Sequence, residues 1–198
     1  MIARSHRLLL KLGVVQFEAE HAGTIDLSSH RTVKRAYGIL GAETFNNYVV
    51  LVEYEKHTLS IFDPRRYGYH VTGAVVPMTV TGNLFSVPVR LTANGSTVVH
   101  LERLDTDSQE TVADTFVRYS RVKRNSLLQT GHFSVQYDRL QIGPYLWEHG
   151  WAPYAPDRVV GTELLSRFRV TIDAPHKRLI LEATDRLHAQ IPTPQPLW

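Results

Sequence analysis

Apolar and polar residues alternate along most of this chain, with the period of two that is typical of β-strands. The pattern predicts strands at 48–52, 58–62, 75–80, 85–91, 97–104, 133–142, 168–172 and 178–181. These segments are rich in Val, Leu, Phe, Tyr and Thr, and Gly- or Asn-containing turns at 82–83, 93–95 and 129–131 separate several of them. The hydrophobic pattern therefore predicts a mostly β protein.

Helical signals are few and short. Segments 42–46 and 162–167 each begin just after a glycine, and Thr162 is placed to cap the second of them. Segment 111–119 is a third candidate helix, because Asp114 and Arg118 have the i, i+4 spacing of a helical ion pair.

Two distant segments share one pattern. Residues 38–63 align with residues 158–183 without a gap, at an offset of 120 positions. The identical pairs are Gly41/Gly161, Glu43/Glu163, Val50/Val170 and Leu59/Leu179, and matching hairpin turns are predicted at 55–57 and 175–177. The offset is too long for a solenoid repeat and predicts two related lobes, divided within 63–73. A site between two like lobes draws one residue from each.

The charge, the cysteine content and the apolar runs of the chain argue against several classes of function. The 198 residues are 43% apolar and 21% charged, with 22 basic and 19 acidic side chains spread along the chain, so we expect a soluble protein and no nucleic-acid partner. Cysteine is absent, which excludes disulfides and thiolate metal sites. The apolar run Leu8-Leu9-Leu10 is too short for a membrane span or a signal peptide, so we expect no membrane partner; the compartment stays unknown.

Two hydrophobic-hydrophobic-Gly triplets carry a family resemblance. Ile39-Leu40-Gly41 and Val159-Val160-Gly161 each precede a short predicted helix, an aromatic-led strand and a hairpin. This arrangement, and segment 164–173 above all, resembles the bacterial retropepsin-like and pepsin-like aspartic proteases. The resemblance implies an all-β, two-lobed aspartic-protease-like architecture of β-barrel lobes with one short helix per lobe. It assigns 1–70 to the C-terminal part of a first lobe, 71–190 to a second lobe and 191–198 to a Pro-rich tail.

The resemblance also identifies a candidate catalytic turn. Segment 99–108 ends in Asp105-Thr106-Asp107-Ser108 and resembles the family's apolar strand followed by Asp-Thr-Gly-x-Ser. It implies that Asp105 is a catalytic carboxylate, Thr106 its supporting hydroxyl and Ser108 a secondary positioner. Asp107 stands where the family has glycine; Asp tolerates the left-handed backbone region but adds a carboxylate beside Asp105.

Three residues are expected to support that turn from the side. In the family, the hydrophobic-hydrophobic-Gly segment passes next to the catalytic turn. The resemblance therefore places Val159, Val160 and Gly161 beside Asp105.

Family members hydrolyse peptide bonds with two carboxylates and a water molecule, so the resemblance implies no metal and no organic cofactor. It implies a polypeptide substrate that binds as an added β-strand. The first-lobe partner of Asp105 falls before Met1 by the offset, and the retained part of that lobe begins near 8–13, which resembles 138–143. Asp26 precedes Gly41 too closely for the intervening strands, and we interpret it as a loop or cap residue.

Three explanations of the single aspartate stay open. The natural start lies upstream; or a homodimer pairs two copies of Asp105; or the protein is a non-catalytic relative. The predicted function is an aspartic endopeptidase-like protein to which this chain supplies Asp105. The alternative is an inactive, aspartic-protease-like protein that binds peptides or serves as a scaffold.

Other candidate sites are weaker. The histidines lack the spacing of metal ligands, and we interpret His149 as a polar loop residue. The aromatic residues Tyr145, Trp147, Trp151 and Tyr154 are expected to pack on a long surface loop rather than line substrate pockets.

A flap hairpin is expected at 127–137, with Gly131 near its tip. No nucleophile elbow, P-loop or dinucleotide fingerprint is present in the sequence.

Overall fold

A computed structural model describes residues 4–5, 8–13, 15–19, 22–23, 40–68, 72–106, 108–113, 134–153 and 157–190. These residues are mostly in β-strands with very little helix, which confirms the all-β prediction. In chain order, the strands are β1 (Arg4–Ser5), β2 (Leu8–Leu12), β3 (Val15–Ala19), β4 (Ala22–Gly23), β5 (Val49–Glu53), β6 (Thr58–Phe62), β7 (Ala74–Pro77), β8 (Thr79–Thr81), β9 (Leu84–Ala93), β10 (Ser96–Leu104), β11 (Val112–Ala113), β12 (Ser134–Ile142), β13 (Tyr145–Pro153), β14 (Val159–Val160), β15 (Phe168–Asp173) and β16 (Arg178–Ala183). A 3-10 helix spans Ala42–Phe45, and the helix α1 spans Thr162–Leu165.

Seven strands form a nearly closed, barrel-like sheet. Its order is β11-β14-β10-β9-β12-β13, and β8 pairs with β9 off this path. Alternate residues of β9, from Phe85 to Ala93, are buried, and the residues between them face outward. This alternation is the physical basis of the period-two pattern in the sequence, because successive side chains of a strand point to opposite faces.

The two copies of the repeat lie side by side in a second sheet, of order β6-β5-β15-β16-β7. The neighbours β5 and β15 are antiparallel, and Leu51 lies opposite Thr171, which is 120 positions further along the chain. Because equivalent residues face each other, a local two-fold axis relates the two hairpins. His57 and Lys177, also 120 positions apart, occupy the matching turns with φ of 53° and 52°.

A second correspondence links a hairpin near the start to the barrel. Strands β2 and β3 are joined through Gly13 with φ of 60°, and β12 and β13 are joined through Gly143 with φ of 55°. The similarity of segments 8–13 and 138–143 thus corresponds to a shared type of hairpin, in which glycine supplies the left-handed conformation.

Several local predictions were wrong. Where a helix was expected at 111–119, Val112–Ala113 is a strand, and 114–119 lie outside the described residues. The strand expected at 75–80 is divided at Met78, whose N–H donates to the Lys177 carbonyl (2.8 Å). Gly161 is the N-cap of α1 and makes no side-chain cap, so Thr162 does not cap this helix.

The long aromatic loop expected after Gly143 is instead the strand β13. The expected flap segment lies partly outside the described residues; only 134–137 of it are seen, in β12. In the described parts of the chain, neither helix has the length and apolar character needed to cross a lipid bilayer.

A buried carboxylate closes the hairpin of the second copy. Asp173 is fully buried; it accepts hydrogen bonds from the His176 N–H (3.3 Å) and from Arg178 Nε (2.6 Å), and its Oδ1 lies 2.9 Å from His176 Nδ1. In the first copy, Glu53 accepts from Lys56 Nζ (2.7 Å) and Thr58 Oγ1 (3.4 Å) at the equivalent positions. The duplication therefore extends to an acidic residue with donors three and five positions further on.

We expect Asp173→Asn to lower the free energy of unfolding by about 2 kcal/mol, because it leaves the Arg178 guanidinium without its buried counter-charge. Glu53→Gln is the matched change at the equivalent, more exposed position, and its expected loss is below about 1 kcal/mol. Urea denaturation of both variants measures the difference. Equal losses would show that burial of Asp173 contributes nothing to the hairpin.

Candidate active site

The candidate catalytic turn begins where β10 ends. The last residues of β10 run parallel to β14, with Arg103 opposite Val159 and Leu104 opposite Val160. This is the only parallel pair among the described strands. The next residue, Asp105, donates its N–H to the Val160 carbonyl (3.0 Å) and so continues the pairing for one position.

The chain then turns around β14 and returns on its other side. Strand β11 pairs antiparallel with β14, so segment 105–111 connects two strands that flank the same short strand. Thr162 binds the middle of this segment, because its N–H and its Oγ1 both donate to the Ser108 carbonyl, each at 2.8 Å. The Gly161 N–H donates to the Thr111 carbonyl (3.2 Å). Segment 105–111 is thereby held at both ends and in the middle.

Gly161 is required by close backbone packing. A Cβ built on it would lie 2.2 Å from the Glu110 carbonyl oxygen and 2.8 Å from that of Ser108. The backbone of Gly161 has φ of −97°, which any residue adopts, so the restriction is steric. The glycine of the Val159-Val160-Gly161 triplet therefore lets segment 105–111 approach α1.

The Asp105 carboxylate has a partner on each oxygen. The main-chain N–H of Ser108 donates to Oδ1 (3.3 Å), and Arg103 Nη2 donates to Oδ2 (2.9 Å). The side chains of Asp105 and Arg103 are 23% and 33% exposed, so the ion pair lies at the surface end of the barrel rather than inside it. A solvent-accessible carboxylate oriented by a backbone N–H can contact a bound molecule.

The other residues predicted around the turn have different positions. Thr106 is exposed, and Ser108 reaches Asp105 through its main-chain N–H, while its Oγ accepts from the Glu110 N–H (3.4 Å). Val159, Val160 and Gly161 are buried beside the turn. Asp107 lies outside the described residues, as do Asp26 and Gly131.

Two further carboxyl groups near the turn were missed by sequence reasoning. Glu102 is fully buried; its position in β10, in phase with Val98 and Leu104, was the available signal that it faces inward. Glu110 is exposed as a residue, but the protein around its carboxyl group partly desolvates it and raises its pKa. Acidic groups thus occur at 102, 105 and 110 within one turn and its flanking strand.

Aromatic residues of β13 join the barrel to the neighbouring sheet. The Tyr145 hydroxyl donates to the Leu181 carbonyl (2.8 Å), and the centroids of the Tyr145 and Phe168 rings are 4.7 Å apart. Trp147 is buried and donates Nε1 to the Leu187 carbonyl (3.0 Å). The interpretation of these residues as surface-loop packing was wrong for Trp147, which belongs to the core; Tyr154 lies outside the described residues.

His149 is in β13 and not in a loop, which corrects its sequence-based interpretation. Its φ of 56° is left-handed, and it lines an open surface cavity of about 520 Å³ with Trp147, Glu148, Trp151 and His188. No group of three or more His, Asp or Glu side chains forms a metal site within the described ranges.

No protein-family model, curated protein or solved structure matches this chain.

Proposed function

We propose that this chain is an aspartic endopeptidase-like protein of two-lobed architecture, in which Asp105 supplies one carboxylate of a pair that hydrolyses peptide bonds. The observation that carries the proposal is the position of Asp105 at the end of a strand parallel to β14, with its N–H on the Val160 carbonyl. The hydrogen bonds that Thr162 and Gly161 donate to segment 105–111 support the proposal, because hydrolysis requires a carboxylate fixed to within a fraction of an ångström.

The chemistry assigns distinct tasks to the two carboxylates. One takes a proton from a water molecule as the water attacks the peptide carbonyl carbon, and the other donates a proton to the carbonyl oxygen. The Ser108 N–H orients Oδ1 of Asp105. The second carboxylate comes either from a part of the polypeptide outside the described residues or from Asp105 of a second copy of the chain.

Arg103 has to release Oδ2 before that second carboxylate can share a proton with Asp105. Its guanidinium is one-third exposed and donates to Oδ2 from Nη2, so solvent can take over this hydrogen bond. Substrate binding is the event that displaces Arg103 in this mechanism.

A second candidate function is favoured by the same ion pair. A guanidinium on the catalytic-type oxygen, together with Asp107 in place of glycine, suits a non-catalytic protein that keeps the fold and binds peptides. In that case the Arg103–Asp105 pair is a structural contact.

Cleavage of peptide mixtures by the full chain between about pH 3 and 6 tests the two candidates. We expect Asp105→Asn to lower the rate by about 10²-fold or more, because an amide neither accepts the proton of the water nor carries one to the substrate. Asp138→Asn changes an exposed aspartate of β12 in the same way and is expected to leave the rate unchanged.

Peptide binding has to be measured together with cleavage, because the two results together distinguish the candidate functions. A chain that binds peptides but cleaves none, with the same affinity in the Asp105→Asn variant, contradicts the endopeptidase and supports the non-catalytic candidate. Equal cleavage by wild type and Asp105→Asn contradicts the assignment of Asp105 in either form.

A further inference from the structure

The outer edge of β6 differs from the equivalent edge in the other copy of the repeat. In the second sheet, β6 and β16 are equivalent strands related by the local two-fold axis. Strand β7 covers the outer edge of β16, whereas no strand pairs with the outer edge of β6 in the part of the chain that the structure describes. The sheet is therefore complete on one side of its axis and open on the other.

The strand that covers β16 shows what such an edge accepts. Antiparallel pairing joins Arg178 to Pro77 and Leu181 to Ala74, so the covering sequence is Ala-Val-Val-Pro. Its residues are small or β-branched and uncharged, and proline stands at its end, where a missing N–H costs least.

One identical residue of the repeat differs in exposure between the two strands. Leu179 in β16 is 1% exposed, and its equivalent, Leu59 in β6, is 51% exposed. Leu59 keeps an apolar side chain at an edge that carries no proline and no lysine within β6. Edge strands of soluble proteins usually carry such residues as protection against strand addition.

We propose that the outer edge of β6 binds an extended, uncharged apolar segment of another polypeptide, which adds an antiparallel strand along 58–61 and completes the sheet. Main-chain hydrogen bonds to the open edge supply the affinity, and Leu59 packs against the small apolar side chains of the added strand. This inference does not depend on hydrolysis by Asp105, since it rests on the symmetry of the second sheet.

A fluorescent peptide that copies residues 72–79 is the probe, and fluorescence anisotropy with the full chain measures binding. Successive N–H groups of a strand point to opposite sides, so one of Leu59 and Ser60 directs its N–H away from β5. Proline at that position removes an outward donor and is expected to weaken binding about tenfold or more with an unchanged melting temperature. Proline at the other position breaks the pairing with β5 and lowers the melting temperature.

A photo-crosslinking group on the peptide identifies the edge that it occupies. Crosslinks to 58–61 support the proposal. Crosslinks to β16 alone mean that the peptide exchanges with β7, and this overturns the proposal, as does an unchanged affinity in both proline variants. A concentration-dependent dimer that excludes the peptide, and that the same proline variant abolishes, identifies a second copy as the occupant and also overturns it.

Discussion

Replacing Gly161 with alanine is expected to lower the free energy of unfolding by about 3 kcal/mol or more, because the added Cβ overlaps main-chain atoms and cannot be accommodated without a backbone shift. The nearest are the carbonyl oxygens of Glu110 and Ser108, at 2.2 and 2.8 Å. Relief of this clash displaces segment 105–111 from α1 and breaks the hydrogen bonds that Thr162 donates to Ser108.

The same variant is expected to lose any activity or peptide binding that depends on Asp105, even at temperatures where the barrel stays folded. Thermal and urea denaturation give the stability, and the peptide assays give the function. Gly82→Asn is the control: nothing lies within 4 Å of a Cβ at Gly82, and Asn tolerates its φ of 56°. A Gly161→Ala protein as stable as this control would contradict the close approach.

Replacing Arg167 with methionine is expected to lower the free energy of unfolding by about 3 to 5 kcal/mol. Arg167 is fully buried; its Nη2 donates to Glu163 Oε1 (2.8 Å), and its Nη1 donates to the carbonyls of Leu187 (3.2 Å) and Ala189. Methionine fills much of the space but makes none of these bonds, so the carbonyls of Leu187 and Ala189 and the Glu163 carboxylate each lose one hydrogen bond.

Arg167 also joins α1 to segment 184–190, since its own carbonyl accepts from the Thr184 N–H at 3.0 Å. We therefore expect amide hydrogen exchange to rise first in 184–190 of the variant. Arg186→Met is the matched control, because Arg186 is 45% exposed and lies 4.0 Å from Glu163; its expected effect is within about 0.5 kcal/mol. Equal effects of the two changes would show that the buried ion pair adds no stability.

Much of the β architecture follows from local sequence signals. The alternation of apolar residues predicted β5, β6, β9, β10, β12, β15 and β16 to within a few positions, because a half-buried strand must present every second residue to the core. It did not predict β11, β13 or β14. The repeat also predicted matched turns, and the left-handed conformations of His57 and Lys177 follow from the need to close equivalent hairpins.

The errors arose where long-range contacts override the local pattern. Val112 and Ala113 have no strong strand signal, and pairing with β14 makes them a strand. The aromatic segment after Gly143 lacks strict alternation, because its inward residues, Trp147 and Gly150, are three positions apart instead of two. His149, with its left-handed backbone, causes this break in the alternation.

Some features of the candidate site could be predicted from the sequence, and others depend on long-range contacts. The family resemblance predicted Asp105 at a strand end with Val159-Val160-Gly161 beside it, and β10 and β14 have this arrangement. The parallel pairing of β10 with β14 is a long-range contact, and no local pattern encodes it. The inward direction of Glu102 follows from its phase with Val98 and Leu104, but its full burial depends on the strands around β10.

The most direct test of Asp105 as half of a catalytic pair is its distance to the nearest second carboxylate in a crystal structure of the full chain with a hydroxyl-containing peptide analogue. The endopeptidase proposal predicts a second carboxylate about 3 Å from Asp105, in the same chain or a second copy, with Arg103 displaced. A bound analogue with Arg103 still on Oδ2 and no other carboxylate within about 6 Å would contradict it.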